Sequence, residues 1–315
     1  MIRLPPIPEV DADQTWKQGI LPLAACILIF ASVPIFLKTF TDDLDAWTVN
    51  GFRYGCAAMI WAPYVLLQRG GYTRGDRTVW KDAFWPSLAN IAAQSGWALA
   101  PYYNDASVIS FIIRCAFGFT ILFGFLLLHE ERSLVKRPIF WLGSCGIIGG
   151  VLGMYWGGIQ VHNMTPTGVA ILVVNAACWG LYAVMIKKHL QPYPARLSFG
   201  VISLYTASGL IVMAVGLGDL QEMTTVSVGT YGWMILSAVL GIAIGQVLLY
   251  RAIYAVGPVV TEGAFSLVPF VAALAAYMVL GERLSGLQWT AGIVLALSSL
   301  ALLLAKVPPT REQVR

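Results

Sequence analysis

Long apolar runs, broken by short polar punctuation, set the pattern of this chain. A helix needs ~20 residues to cross a bilayer. Runs near that length stand at 18–40, 46–68, 83–103, 107–129, 138–157, 167–187, 197–217, 231–254, 258–280 and 286–306. The separators carry turn-forming residues, among them Asn104-Asp105, Arg137-Pro138, Thr165-Pro166-Thr167, Gln191-Pro192 and Gly257-Pro258. The pattern predicts an all-α polytopic membrane protein with ten transmembrane helices. The third run is the most interrupted, by Asn90, Gln94 and Pro101.

Composition removes the soluble alternatives. Of the 315 residues, 58% are apolar and only 11% are charged, against about 25% charged in a typical soluble domain. Mean hydropathy is +0.72. So few charges cannot cover a water-facing surface, and ten spans leave no length for a soluble domain. Cys26, Cys56, Cys115, Cys145 and Cys178 all lie inside apolar runs, without CxxC spacing. They read as small hydrophobes rather than as disulfides or metal ligands. No basic region precedes the first apolar run, which argues against a cleaved signal peptide.

Charge sets the expected orientation. With a cytoplasmic N-terminus and ten alternating spans, sixteen of the 20 lysines and arginines face the cytoplasm. Lys38 and Arg283 fall outside, while Arg53 and Arg114 lie within spans. The expected protein is thus a multi-pass component of the cell inner membrane. Residues 1–17 and 307–315 form cytoplasmic tails. The basic excess is used up by orientation, so nothing points to nucleic acid.

An ungapped shift of 151 residues lays Tyr103 on Tyr254, Val108 on Val259, Phe119 on Phe270, and Glu131-Arg132 on Glu282-Arg283. The implied halves, 18–157 and 167–306, hold five spans each. Because five is odd, they must be inverted relative to one another. Inverted repeats with a site at their interface characterise many secondary transporters.

Val279-Leu280-Gly281-Glu282-Arg283-Leu284-Ser285, Val268-Pro269-Phe270 and Cys178-Trp179-Gly180-Leu181-Tyr182 resemble an EamA repeat. Arg53 and Glu130-Glu131-Arg132 resemble the same pattern in the first half, although Gly118 stands where that pattern has proline. The resemblance, to the drug/metabolite transporter superfamily of EamA type, covers roughly residues 20–306. It implies a ten-helix inverted-repeat fold, a central pocket, and export or exchange of small metabolites.

Ionisable groups inside spans are expensive unless paired or facing a cavity, so each is a candidate for function. Arg114 and Arg53 sit about 10 Å from the outer face and Glu262 about 6 Å from the cytoplasmic face, at 1.5 Å per residue. Arg114 and Arg53 are candidate anchors for a carboxylate or phosphate, since guanidinium offers a fixed fork of donors. Glu262 is the candidate coupling group, with protons as the coupling ion, or a partner for a substrate amine. Structural alternatives stand beside these: Arg114 could satisfy helix-end carbonyls, Arg53 could snorkel, and Glu262 could cap its own helix. The depth difference argues against a direct Arg114–Glu262 bridge. Polar and aromatic stripes at helical spacing complete the candidate substrate-binding set: Asn90, Gln94 and Trp97; Asn175, Trp179 and Tyr182; Gln246, Tyr250 and Tyr254. Pro34, Pro101 and Pro269 are candidate hinges or fixed kinks.

No GxSxG, HExxH, P-loop or GxGxxG motif occurs in an appropriate setting. The expectation is a non-enzyme without cofactor or metal, whose partners are a small-molecule substrate and the lipid bilayer. A homodimer is left open. The sequence favours a transporter of a small polar or amphipathic metabolite, an amino acid or derivative being the first guess. Two other readings stay open: a non-transporting sensor or assembly subunit sharing the fold, and an exchanger of nucleotide sugars or other phosphorylated metabolites.

Overall fold

The computed structural model describes residues 12–41, 43–68, 73–74, 77–104, 106–156, 165–280 and 285–306. Spans one to three are the helices α1 (Ala12–Lys38), α2 (Ala46–Leu67) and α3 (Val79–Tyr103). The only strands among the described residues form a two-residue ladder before α3, β1 (Thr73–Arg74) against β2 (Arg77–Thr78). Span four is two helices, α4 (Ala106–Ile112) and α5 (Cys115–Leu127), followed by the short α6 (His129–Arg132). Span five is α7 (Pro138–Tyr155). Span six is α8 (Pro166–Met185), ending in a π-helical turn at Ile186–Leu190, and span seven is α9 (Ala195–Leu217). Span eight runs from α10 (Val228–Ser237) through a π-helical segment (Ala238–Ile244) to α11 (Gly245–Val256). Span nine is again divided, into α12 (Pro258–Phe265) and α13 (Val268–Leu280), and span ten is α14 (Gly286–Lys306).

Seven of these helical stretches, spans four to ten, are long and apolar enough to cross a membrane, and Gln18–Val33 is a shorter apolar helix. Spans two and three have the length, with 22 and 25 residues. Their lower hydropathy comes from polar residues turned into the bundle: Thr48, Asn50, Arg53, Ser87, Asn90 and Gln94 are all buried. Starts are chemically marked. Asp45 accepts the N–H groups of Trp47 and Thr48 to cap α2, and Thr165 caps α8 ahead of Pro166 at its first position.

Packing follows an internal two-fold. Span one lies on span eight as span six lies on span three, and spans two and seven, like five and ten, pair with each other. Exchanging each span with the one five places on leaves this list unchanged, as two inverted five-helix repeats require. Small residues allow the closest of these approaches. A Cβ on Gly143, Gly146, Gly150 or Gly153 of α7 would run into Leu302, Ser298, Leu295 or Ala291 of α14. The start of α1 and the end of α14 therefore lie on one side of the bundle, the terminal side; Gly19 of α1 packs on Ala255 and Val256, at the end of span eight, and Lys306 of α14 comes near Gly257 beyond it.

The sequence pattern predicts spans four and nine as continuous helices, and here the structure differs. Both are broken at mid-span, at Ile113-Arg114 and at Ser266-Leu267. Pro269 explains the second break: it has no N–H to give the carbonyl four residues earlier, which is Phe265. Around the first break, turn-like bonds replace the helical ladder, with Arg114 N–H donating to Phe111 O and Phe117 N–H to Arg114 O, each at 3.1 Å. Helix ends also shift by a few residues, α1 starting at Ala12 and α3 at Val79.

Candidate functional site

The two breaks meet. A guanidinium nitrogen of Arg114, at the break of span four, donates to the carbonyl of Phe265, at the break of span nine. That carbonyl is the one Pro269 leaves free. Half-helices α4 and α12 enter from opposite sides, each covering about 10–12 Å at 1.5 Å per residue. Their ends thus come together near the middle of a ~30 Å core. The depth estimate, which treats both spans as unbroken, argues only against a direct bridge between Arg114 and Glu262. With the breaks in place, both side chains line one cavity of about 200 Å³, where carboxylate and guanidinium attract each other.

Of the other residues predicted from sequence, Arg53, Gln94, Trp97, Trp179 and Gln246 also line this cavity. Arg53 is anchored by its Nε, which donates to Ser237 Oγ at 2.9 Å. Apolar walls come from residues including Phe30, Phe117 and Phe265. Three polar atoms of lining residues are buried without a protein partner: Arg114 Nε, Gln246 Oε1 and Ser266 Oγ. A buried polar group left unpaired costs about 1–3 kcal/mol, so three around one cavity mark a place where something polar is accommodated.

Asn90, Asn175, Tyr182 and Tyr250 are not in the cavity lining. Asn90 donates to Thr206 Oγ1 at 3.0 Å and accepts from Gln94 Nε2 at 3.4 Å, holding spans three and seven together. Asn175 is buried against Gly96, with both amide atoms lacking a protein partner. Tyr182 and Tyr250 share a hydroxyl–hydroxyl bond of 2.8 Å, and Tyr254 donates to Leu190 O and Ser198 Oγ. With Phe199, these rings form an edge-on cluster on the terminal side of the cavity. Pro34's side chain and Glu282-Arg283 lie outside the described residues.

Other residues went unnoticed in the sequence. Ser110 and Ser266 line the cavity; Ser110 is one helical turn before Arg114, a spacing that could have flagged it. Orientation counting treats Lys187 as a loop charge, yet it is buried in the π-helical turn, where its Nζ donates to Tyr254 O at 2.9 Å. Glu131 is buried beside it, 3.3 Å from Lys306 Nζ.

The fold has counterparts among known proteins. The EamA-like transporter family model matches residues 17–156 and again 166–305. The chain belongs to this family. A curated relative, an uncharacterized transporter of Archaeoglobus fulgidus, is 25% identical over 175 residues, covering 55% of this chain. The chain spans 58% of that relative's length. A crystal structure titled only as that of a protein superposes with a TM-score of 0.72 at 12% identity. It covers 92% of this EamA-like chain and 99% of the solved one, and so shares its fold. The chain is thus a polytopic EamA-like membrane protein whose two family repeats coincide with its two inverted bundles.

Proposed function

We propose that this EamA-like protein is a secondary transporter, not an enzyme, that exports or exchanges a compact anion-bearing metabolite by alternating access. An amino acid or a close derivative is the first candidate. The observation that carries this reading is the set of unpartnered polar atoms around the cavity: Arg114 Nε, Gln246 Oε1 and Ser266 Oγ. A carboxylate would take its place between Arg114 and Arg53, an ammonium beside Glu262, and an apolar side chain between Trp97, Trp179 and Phe30. Size supports a small cargo. An apolar cavity of ~150 Å³ takes a benzene ring, so about 200 Å³ suits an amino acid better than a nucleotide sugar. The proposed setting is the cell inner membrane with both termini cytoplasmic, supported by the sixteen of 20 lysines and arginines that the sequence pattern assigns to one side.

Uptake into inside-out vesicles across a metabolite panel tests this, with and without Arg114→Ala. Removing one member of a desolvated charge pair costs about 2–5 kcal/mol, so apparent KM should rise ~30-fold or more. Arg114→Lys, which keeps the charge but loses the fork, should recover part of the loss. If no solute of the panel moves, or if Arg114→Ala transports with unchanged KM, the reading fails.

A further inference from the structure

We propose that Glu131 is a proton-binding site outside the central cavity, and that its charge state sets whether the terminal side of the bundle opens. The inference rests on the alternating-access reading above. The starting point is where Glu131 sits. It belongs to the first repeat, on α6 just beyond span four, but its carboxylate is seated in the second. Oε1 lies 3.3 Å from Nζ of Lys306, the last residue of α14, and against Gly257, the turn between spans eight and nine. Gly257 has φ +87°, and a Cβ there would collide with Glu131 Oε1. Gly124 of α5 closes the site from the first repeat, within reach of Val259 and the Glu131 side chain. The carboxylate therefore bridges the two repeats at the root of half-helix α12, whose far end receives Arg114.

Among the described residues, the charged groups that act on Glu131 can be named. Lys306 comes from span ten and Lys187 from span six, and Glu130 is its neighbour on α6. Lys187 is divided between Tyr254 O at 2.9 Å and the exposed Glu130 at 3.9 Å. Arg137, at the start of span five, donates to Ala305 O at 2.7 Å. Glu131 is left with Lys306 as its close cation. Its residue is only 2% exposed, and Oε2 has no hydrogen-bond partner.

The sign follows from this geometry. A single ion pair seldom repays the desolvation of a carboxylate whose second oxygen is unpaired. The ionised form is therefore penalised while the terminal side is packed shut, and the protonated form is not. Consistent with this, burial pushes the Glu131 carboxyl above its usual range despite the opposing pull of Lys306. Opening this side would hydrate the carboxylate and return it toward its ordinary value. By linkage, proton uptake favours the closed side and proton release into the terminal-side water favours opening. Glu131 thus supplies what a coupling group in the cavity lacks, direct contact from the first repeat with the Gly257 turn at the root of α12.

The test reads distance rather than flux, so it is independent of cargo. In a variant with all five cysteines replaced, spin labels go on Lys136→Cys of the first repeat and Lys188→Cys of the second. Both positions are exposed on the terminal side. Pulsed dipolar measurements in lipid nanodiscs then compare acid with alkaline buffer. The longer-distance population should grow several-fold as pH rises in the otherwise native chain, and Glu131→Gln should stay at the shorter distance throughout. Glu130→Gln, on the exposed neighbour, should keep the response, and Lys306→Met should enlarge the open population in alkali. A native distribution that ignores pH, a Glu131→Gln distribution that still responds to it, or an unchanged Lys306→Met would each overturn the proposal. Failed uptake in vesicles would remove the cargo reading without altering these distances.

Discussion

The pairing of Arg114 with the carbonyl of Phe265 makes a quantitative demand on Pro269. Because position 269 has no N–H, the Phe265 carbonyl is without its helical donor, and Arg114 takes that role from the other repeat. In Arg114→Ala the carbonyl loses its charged donor, and a buried acceptor left unsatisfied costs about 1–3 kcal/mol. Pro269→Ala restores an N–H at the position four residues on, which can close the normal helical bond. In that background the carbonyl no longer depends on Arg114, and truncating the arginine should cost less by about the same 1–3 kcal/mol. The assay is a double-mutant cycle of unfolding by SDS in mixed micelles, followed by tryptophan fluorescence. Independent sites add within about 0.3–0.5 kcal/mol, so a coupling of ~1 kcal/mol or more is resolvable. Additive costs would refute the reasoning, because they would mean that the arginine and the proline break do not share the carbonyl.

Other expectations are simpler. Gly257→Ala should destabilise by about 1–3 kcal/mol from its backbone conformation alone and further from the collision with Glu131. Gly118→Ala, whose Cβ meets nothing within 4 Å, should be tolerated or should stabilise by up to ~1 kcal/mol; the same unfolding assay ranks the two. Glu131 should leave a pH signature. Its carboxyl is raised by burial, so the stability tied to it is intact below the unfolded value and is lost as pH rises through the folded one. Melting curves across acid and neutral buffers should show that loss in the native chain and not in Glu131→Gln. Asp45 should behave oppositely. Burial would raise its carboxyl, but hydrogen bonds from Thr48, Asp219 and Trp47 outweigh that and hold it below its usual value. Its contribution should therefore be present above the unfolded value and fade as pH falls through the folded one. Asp45→Ala should cost about 0.5–2 kcal/mol as a lost helix cap, measured by the same curves at neutral pH.

How far the sequence could be read follows from what each signal measures. Hydropathy integrates over ~20 residues, so it found ten spans and an odd count per half, which already forces inversion. It could not see a break two residues wide, since Ile113-Arg114 and Ser266-Leu267 leave the average of their windows almost unchanged. Pro269 was visible, but proline marks only the carbonyl it abandons, not the side chain that arrives from elsewhere in the chain. The partner, Arg114, was legible as a costly intramembrane charge. Its burial cost is met across the repeats, a relation no periodicity encodes. The same limit governs the stripes. A helical spacing of three or four puts Asn90, Gln94 and Trp97 on one face, yet that face turns from a helix contact at Asn90 to the cavity at Trp97. Which part of a polar stripe meets a neighbouring helix depends on where that helix crosses. Charge counting failed for the opposite reason: Lys187 and Glu131 lie at span ends, where hydration is the default assumption. Their burial comes from spans eight, nine and ten closing over them, so the carboxylate seated against the Gly257 turn looked in sequence like the edge of a loop.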